Sequence, residues 1–247
     1  MNSNLSMKFR RVEREMRCLG VLLLANALIL GCTPADITLT PIPSASVKAT
    51  IKLPEPWLKG GISLEETLLK RRSVRDYTGE SLLLKEVSQL LWSAQGITGE
   101  SGGRTAPSAG ALYPLEVYLI AGDVEALSPG VYRYQPRRHE LIKIGAEDIR
   151  EELAAAALNQ SCVKDGAISI VIAAVYERTT GKYGERGVRY VHMEAGHAAQ
   201  NICLQATALA LGTVTVGAFH DGQVRDIVGM PDNETPLYVI PVGKKRS

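Results

Sequence analysis

Arg71-Arg72-Ser73-Val74-Arg75 packs three guanidinium groups and a hydroxyl into five residues, and Pro107-Ser108-Ala109-Gly110-Ala111-Leu112-Tyr113-Pro114 follows downstream. Arginine's planar fork matches an oxyanion such as phosphate with two parallel hydrogen bonds, and a hydroxyl adds a neutral donor. A spacing of two places Arg71, Ser73 and Arg75 on one side of an extended segment. The same run can also be read as cations set against the dipole at the end of a preceding helix. The second stretch is a small-residue turn in which backbone can approach a flat ligand. Together the two read as a cradle for an anionic, planar group.

Working outward, Ser63-Leu64-Glu65-Glu66 has the capping-box form, with Glu66 three residues after the N-cap candidate Ser63. The helix it opens has Leu64, Leu68 and Leu69 as apolar positions and delivers the chain into the arginine run. A second helix is predicted from about Leu84 to Gln95, with Leu84, Val87, Leu90, Leu91 and Ala94 on one face and Gly96 as C-cap. Residues 97–114 read as a loop. Strands are predicted at Leu115–Ala121, at Val131–Tyr134 and Glu140–Ile144 as a hairpin, and at Ala167–Tyr176, buried on both faces. A helix is expected near Ile149–Asn159. The longest pattern, Arg189–Leu211, lacks proline and carries the stripe Ala195, Ala198, Ala199, Ile202, Cys203, Ala206 and Leu209. Strands at Thr213–Ala218 and Leu237–Val242 flank a short helix at Gln223–Val228.

The N-terminal segment reads differently. A basic stretch from Met7 to Arg17 precedes an apolar run, Cys18 to Gly31, too short to span a membrane but suited to a signal-peptide core. Its end, Leu28-Ile29-Leu30-Gly31-Cys32, resembles a lipobox, with a plain secretory signal as the alternative. Residues 1–31 are therefore expected to be a lipoprotein signal peptide, Cys32 the lipidated residue, 32–59 a flexible tether and 60–247 the folded domain. Residues 1–31 carry five of the 28 Lys/Arg and two of the 26 Asp/Glu, leaving 23 against 24 and a net charge of −1. No electrostatic footprint for a nucleic-acid partner remains. Cys162 and Cys203 then form one disulfide at most, and Cys203 reads as a small hydrophobe.

Several chemistries are not supported. Gly102-Gly103-Arg104-Thr105 lacks the Gly-Lys-Ser/Thr of a phosphate-binding P-loop, and no GxGxxG follows a first strand. His192 and His197 are five apart, about 500° around a helix, and do not share a face as zinc-binding HExxH requires. No metal is expected. His197, Glu194 and Gln200 read instead as polar groups with hydrogen-bond partners at a helix seam.

The Arg71–Arg75 run followed by Pro107–Gly110 resembles the FMN-dependent nitroreductase superfamily. Tyr113-Pro114-Leu115-Glu116-Val117-Tyr118, Gly130-Val131-Tyr132-Arg133-Tyr134 and Glu194-Ala195-Gly196-His197-Ala198-Ala199-Gln200-Asn201 are similar to its SagB-type dehydrogenase branch. The resemblance implies an α+β fold: a central, mainly antiparallel sheet flanked by helices, a long core or interface helix, and an intertwined homodimer with FMN at each interface. It implies that Arg71 and Ser73, with Arg72 beside them, hold the FMN phosphate and ribityl chain. Arg75 would face the ring, and Pro107, Ser108, Ala109 and Gly110 would line it. Val216 and Gly217, in Thr215-Val216-Gly217-Ala218-Phe219, resemble the segment facing flavin N5, and Lys244 and Arg246 the late basic pair closing on the phosphate. A frayed basic C-terminus would look the same.

Lys182-Tyr183 matches a pair proposed to act in azoline-oxidising members. Oxidation beside a ring nitrogen couples hydride loss to proton loss, and either side chain could take that proton. The alternative is a surface turn in which Tyr183 simply packs. The function these readings imply is hydride transfer through FMN, oxidising a small or peptide-derived heterocycle. The first alternative is an NAD(P)H-dependent nitro or quinone reductase; the second is a flavin-binding lipoprotein without turnover. The expected location is the cell envelope, with the membrane reached through a lipid anchor.

Overall fold

The computed structural model describes residues 49–246. The signal segment, Cys32 and most of the tether lie outside the described residues. Along the described chain the first elements are β1 (Thr50–Lys52), α1 (Leu64–Lys70), β2 (Leu82–Leu83) and α2 (Leu84–Gln95). Then come β3 (Leu115–Ala121), β4 (Val124–Glu125), β5 (Gly130–Gln135), β6 (Glu140–Gly145), α3 (Arg150–Ala156) and α4 (Ser161–Asp165). The last are β7 (Ile168–Ala174), α5 (Glu177–Tyr183), α6 (Arg186–Ala208), β8 (Leu211–Thr213), α7 (Asp221–Val228) and β9 (Thr235–Lys244).

Seven strands form one sheet in the order β1-β6-β5-β3-β7-β9-β8, every neighbouring pair antiparallel. A separate two-residue parallel pairing joins β2 to β4. The apolar run of β7 is buried along its whole length because both faces of the sheet are covered. Ile168, Ile170, Ile172 and Ala174 enter one core, while Val171 and Ala173 enter the other. This is the two-residue alternation of a strand resolved into two layers. The first core is closed by α2 and α6, the second by α3, α4 and α7.

Helix α6 buries the predicted small-residue stripe, with Ala195, Ala198, Ala199, Ile202 and Ala206 turned into the first core. Small side chains let it lie close to α2, and Asn201 Nδ2 locks the pair by donating to Ser93 O (3.0 Å) and Thr105 O (3.2 Å). Cys162 and Cys203 are both buried thiols and form no disulfide.

Three local expectations change, and one, Gly96 as the C-cap of α2, holds for a different reason. The described fold takes in residues before Gly60: Ala49 O accepts from Lys143 N, β1 pairs with β6, Leu53 is buried, and Trp57 N donates to Gln89 Oε1. Without this arm β6 would be an open sheet edge. Second, Ser63 caps α1 by accepting from Glu66 N, yet the Glu66 carboxylate pairs with Lys70, so only half the capping box forms. The leucines of α1 are not core: Leu64, Leu68 and Leu69 are exposed. Third, Gly96 ends α2 with an ordinary φ of −61°. What requires glycine there is Trp92, whose Cδ1 would lie 2.1 Å from a β-carbon. Last, the strand expected at Thr213–Ala218 stops at Thr213, and beyond it only Val216 bridges to β9.

Candidate functional site

The arginine segment is laid in extended form across the ends of β8 and β9. Val74 N donates to Thr213 O (2.9 Å), and Thr78 N to Lys244 O (2.9 Å). Two glycines make this approach possible. A β-carbon at Gly212 would stand 2.7 Å from Val74 Cγ1, and one at Gly243 would stand 2.8 Å from Tyr77 Cγ. Val74 and Tyr77 therefore turn inward, while Ser73 and Arg75 are exposed and Arg71 is half-buried.

The three arginines have separate fates. Arg72 Nη1 donates to Leu69 O (3.0 Å) and Arg71 O (2.7 Å), closing the C-terminal end of α1. The reading of cations set against a helix end thus describes Arg72. Arg71 and Arg75 make no ion pair or side-chain hydrogen bond among the described residues. They face different surroundings: the charge of Arg71 is felt by buried Cys203 on α6, that of Arg75 by Cys162 on α4 and by Tyr77. In all three neighbours burial is the larger influence and pushes the pKa up.

The late basic residues sort differently from the sequence reading. Lys244 Nζ is bound to Glu86 Oε1 (2.6 Å), and Glu86 Oε2 accepts from Leu83 N at the start of α2. Arg246 pairs with Asp76 (3.3 Å) and donates to Tyr77 O (3.1 Å). Both are committed to carboxylates. Lys245, not singled out from sequence, lines a groove of about 500 Å³ with Lys70, Arg72 and Val74. Strand alternation carried the signal: Val242 enters the α2–α6 core, Lys244 follows it, and Lys245 takes the other face.

The Pro107–Pro114 loop is held by Thr105, whose N–H donates to Gly96 O, and by Ser108 Oγ, which accepts from Tyr113 N (2.9 Å). It contains a 3₁₀ turn at Ala109–Ala111 with Gly110 at φ 63°, Ala111 at 54° and Tyr113 at 48°. Left-handed backbone at two non-glycine residues is strain that the surroundings must hold. Arg178 helps, donating to Tyr113 O and pairing with Glu116 (2.6 Å), while Arg104 lies over the Tyr113 ring.

The structure brings Lys182 and Tyr183 to this loop. They occupy the last turn of α5, with Lys182 exposed and Tyr183 half-buried. A β-carbon on Gly110 would lie 2.8 Å from Tyr183 Oη and 3.0 Å from Lys182 Nζ. Tyr183 also packs edge-on against Tyr190 of α6 (centroids 5.2 Å).

Beside them a pocket of about 240 Å³ lies between Pro107, Ser108 and Ala109 on one wall and Tyr190, Glu194 and His197 on the other. Here the expected polar partners do not hold. His197 and Gln200 are exposed, and buried Glu194 has no hydrogen-bond partner at Oε1. Burial pushes its carboxyl up to about 7, against the opposing pull of Ser108 and Arg104. Gln95 Nε2 and Arg104 Nε are further unpartnered buried atoms, on a pair joined by Arg104 Nη1 to Gln95 Oε1 (2.7 Å). Val216 exchanges both backbone hydrogen bonds with Val239 (2.8 and 2.9 Å), which fixes the position of exposed Gly217.

A cofactor of the flavin mononucleotide type suits this donor set. The guanidinium groups of Arg71 and Arg75, which have no partner among the described residues, suit an anionic group. Gly217, where a β-carbon would meet nothing nearer than 3.9 Å, and the small residues of the loop leave room for a flat ring.

A family model described as the nitroreductase family matches residues 68–244. A Methanocaldococcus jannaschii protein, provisionally named a nitroreductase, is 52% identical over 184 residues, covering 74% of this chain and 92% of that protein. The trifolitoxin operon protein TfxC of Rhizobium leguminosarum bv. trifolii is 28% identical over 192 residues, 71% of this chain and 54% of the relative. Among solved structures, one provisionally named a nitroreductase from Anabaena variabilis superposes with a TM-score of 0.72 at 32% identity, covering 81% of this chain and 42% of that one. The chain thus spans about half of the trifolitoxin operon protein and less than half of the Anabaena chain.

Proposed function

Because this chain belongs to the nitroreductase family, we propose that it is an FMN-dependent oxidoreductase of the SagB-type dehydrogenase branch, oxidising a small or peptide-derived heterocycle. Arg71 and Ser73 would hold the phosphate, and Arg75 would stand nearer the ring. Pro107 to Gly110 and the Val216–Gly217 backbone would bound the ring plane. Lys244 and Arg246 are bound to carboxylates, and Lys245 lines a separate groove with Lys70, Arg72 and Val74. Bound FMN would supply two-electron hydride exchange at N5.

The observation carrying the oxidising direction is the meeting of Lys182 Nζ and Tyr183 Oη at Gly110. A base at that position can take the proton that an azoline or similar ring loses with its hydride. Relatives named for a trifolitoxin operon and for trifolitoxin processing support a peptide-derived substrate. The deciding experiment is a flavin spectrum of the purified chain, then turnover with a panel of thiazoline and oxazoline peptides. A colourless protein that takes up no FMN would end the cofactor reading, and a yellow one inert to every azoline would end the heterocycle reading.

The names of the Methanocaldococcus and Anabaena proteins favour a second reading, an NAD(P)H-dependent nitro or quinone reductase. Bleaching by NAD(P)H and reoxidation by a quinone would establish it. A yellow protein inert to every donor and acceptor would favour flavin binding without turnover. Assembly as a homodimer is part of the proposal, supported by the exposed Leu58, Leu64, Leu68 and Leu69 around α1. So is the lipid anchor at Cys32, which rests on sequence alone.

A further inference from the structure

Glu194 is 2% exposed on the wall of the Pro107–Ala109 pocket, four residues after Tyr190 and three before His197 on the same helix. That spacing puts all three side chains on one face of α6. A buried carboxyl with no partner at Oε1 is costly if ionised and cheap if it carries a proton. The groups around it leave the proton in place. From the loop, Arg104 is the one charged group acting on it, and that guanidinium is already shared between Gln95 and the Tyr113 ring. From α2 comes uncharged Gln95, from α6 itself Tyr190 and His197, and from α5 Lys182 and Tyr183, which meet the loop at Gly110. Burial accordingly holds the carboxyl near neutrality, at about 7. Ser108 lines the pocket beside Glu194: its Oγ accepts from Tyr113 N, which leaves its own O–H free to donate to the carboxylate.

We propose that Glu194 is the proton-holding residue of this pocket, exchanging its proton through the Ser108 hydroxyl with an organic substrate seated against Pro107–Ala109. The proposal rests on the oxidoreductase reading above. A quinone-type acceptor that takes up a hydride takes up one proton with it. As an O–H bond forms on the acceptor, the Ser108 O–H bond breaks and the Glu194 proton passes to Ser108 Oγ, leaving Glu194 as the carboxylate, which regains a proton from solvent. When a hydroquinone gives up its hydride, the same proton returns along the same path. The proton that an azoline loses comes from carbon and is left to Lys182 and Tyr183. Glu194 acts through Ser108 and positions the proton rather than touching the substrate.

The test compares full-length wild type with Glu194→Gln, Glu194→Asp and Ser108→Ala. The first readout needs no cofactor: the infrared C=O band of the protonated carboxyl, taken as wild type minus Glu194→Gln, followed against pH. Half-titration near pH 7 is expected; half-titration near the ordinary glutamate value of about 4.3 overturns the proposal. The second readout is quinone turnover of the FMN-loaded, dithionite-reduced protein across pH. Wild type should show a limb near pH 7. Glu194→Gln should lose both the limb and a factor of about 10²–10⁴ in rate, with its FMN absorbance unchanged. Glu194→Asp should restore the limb, and Ser108→Ala should lower the rate while leaving the infrared titration in place. A Glu194→Gln protein that holds FMN and keeps the limb overturns the relay. If no form takes up FMN, the cofactor reading fails, and the relay with it, while the infrared titration still decides where Glu194 keeps its proton.

Discussion

Tyr183 occupies the space that a side chain on Gly110 would need, its hydroxyl 2.8 Å from where a β-carbon would stand. Gly110 also has a φ of 63°, so two independent constraints require glycine there. Gly110→Ala should cost about 1–2 kcal/mol in backbone strain, a fall of roughly 2–8 °C in thermal midpoint for a chain of this size. It should lower turnover more than FMN content, because it displaces Lys182 and Tyr183. Gly222→Ala, on exposed α7 with nothing near a new β-carbon, is the control and should leave the midpoint unchanged or slightly raised. Differential scanning calorimetry of the two variants is the check.

Lys182→Ala and Tyr183→Phe separate chemistry from packing. If the pair takes the substrate proton, each variant keeps its flavin spectrum and loses about 10²–10⁴ in azoline oxidation. Quinone reduction, which needs no base at that position, should change much less. Equal losses in both reactions would assign the pair a packing role.

Binding of FMN should distinguish cations that are adjacent in sequence. Arg71→Ala removes an uncommitted charged contact and should weaken FMN by about ten- to a hundredfold, from roughly 1.5–3 kcal/mol. Arg72→Ala should alter affinity little, since that guanidinium closes the end of α1. Lys244→Ala should instead lower stability, because it leaves Glu86 buried without its cation. Flavin-fluorescence titration beside urea denaturation reads both effects.

His139 should make stability sensitive to mild acid. Its ring bridges Pro54 O, Ser88 and Tyr134, and burial pushes its pKa below the ordinary value. The unfolded chain therefore binds more protons just below about pH 6.5, and this contribution is lost as pH falls through that window. Glu194 has a raised pKa and contributes the opposite slope, its share present at low pH and lost as pH rises toward about 7. The difference between wild type and His139→Gln isolates the histidine. The urea midpoint of wild type should fall more than that of the variant between about pH 7.5 and 5.5. Parallel curves would exclude the histidine.

Lipidation is tested directly by metabolic labelling with a fatty acid in a bacterial host. Label should enter wild type and be absent from Cys32→Ser, which should then appear in the soluble fraction. Label retained in that variant would refute the anchor.

Much of the architecture was legible in one dimension. The 3.6-residue period and its boundaries placed α2 at Leu84–Gln95, and the short apolar run Leu115–Ala121 after a Gly/Ser/Pro-rich loop placed β3. The small-residue stripe identified α6, and the doubly buried character of β7 followed from its unbroken apolar run. These features record the face on which each residue sits, and a local pattern carries that information. The arm containing β1 escaped because a strand of three residues carries too little periodicity to register.

The site itself divides in the same way. Which residues are arginine, glycine or glutamate belongs to the sequence, as does their order, and the family match across residues 68–244 rests on both. Only the tertiary structure committed Arg72, Lys244 and Arg246 to local partners while leaving Arg71, Arg75 and Lys245 facing open space. It alone brought Lys182 and Tyr183 against Gly110 and buried Glu194 without a partner for Oε1. The reason is physical: pairing and desolvation depend on which distant segments the sheet and its helices bring within a few ångströms. Residues such as Gly110 and Tyr183 are far apart along the chain and in contact only once it has folded.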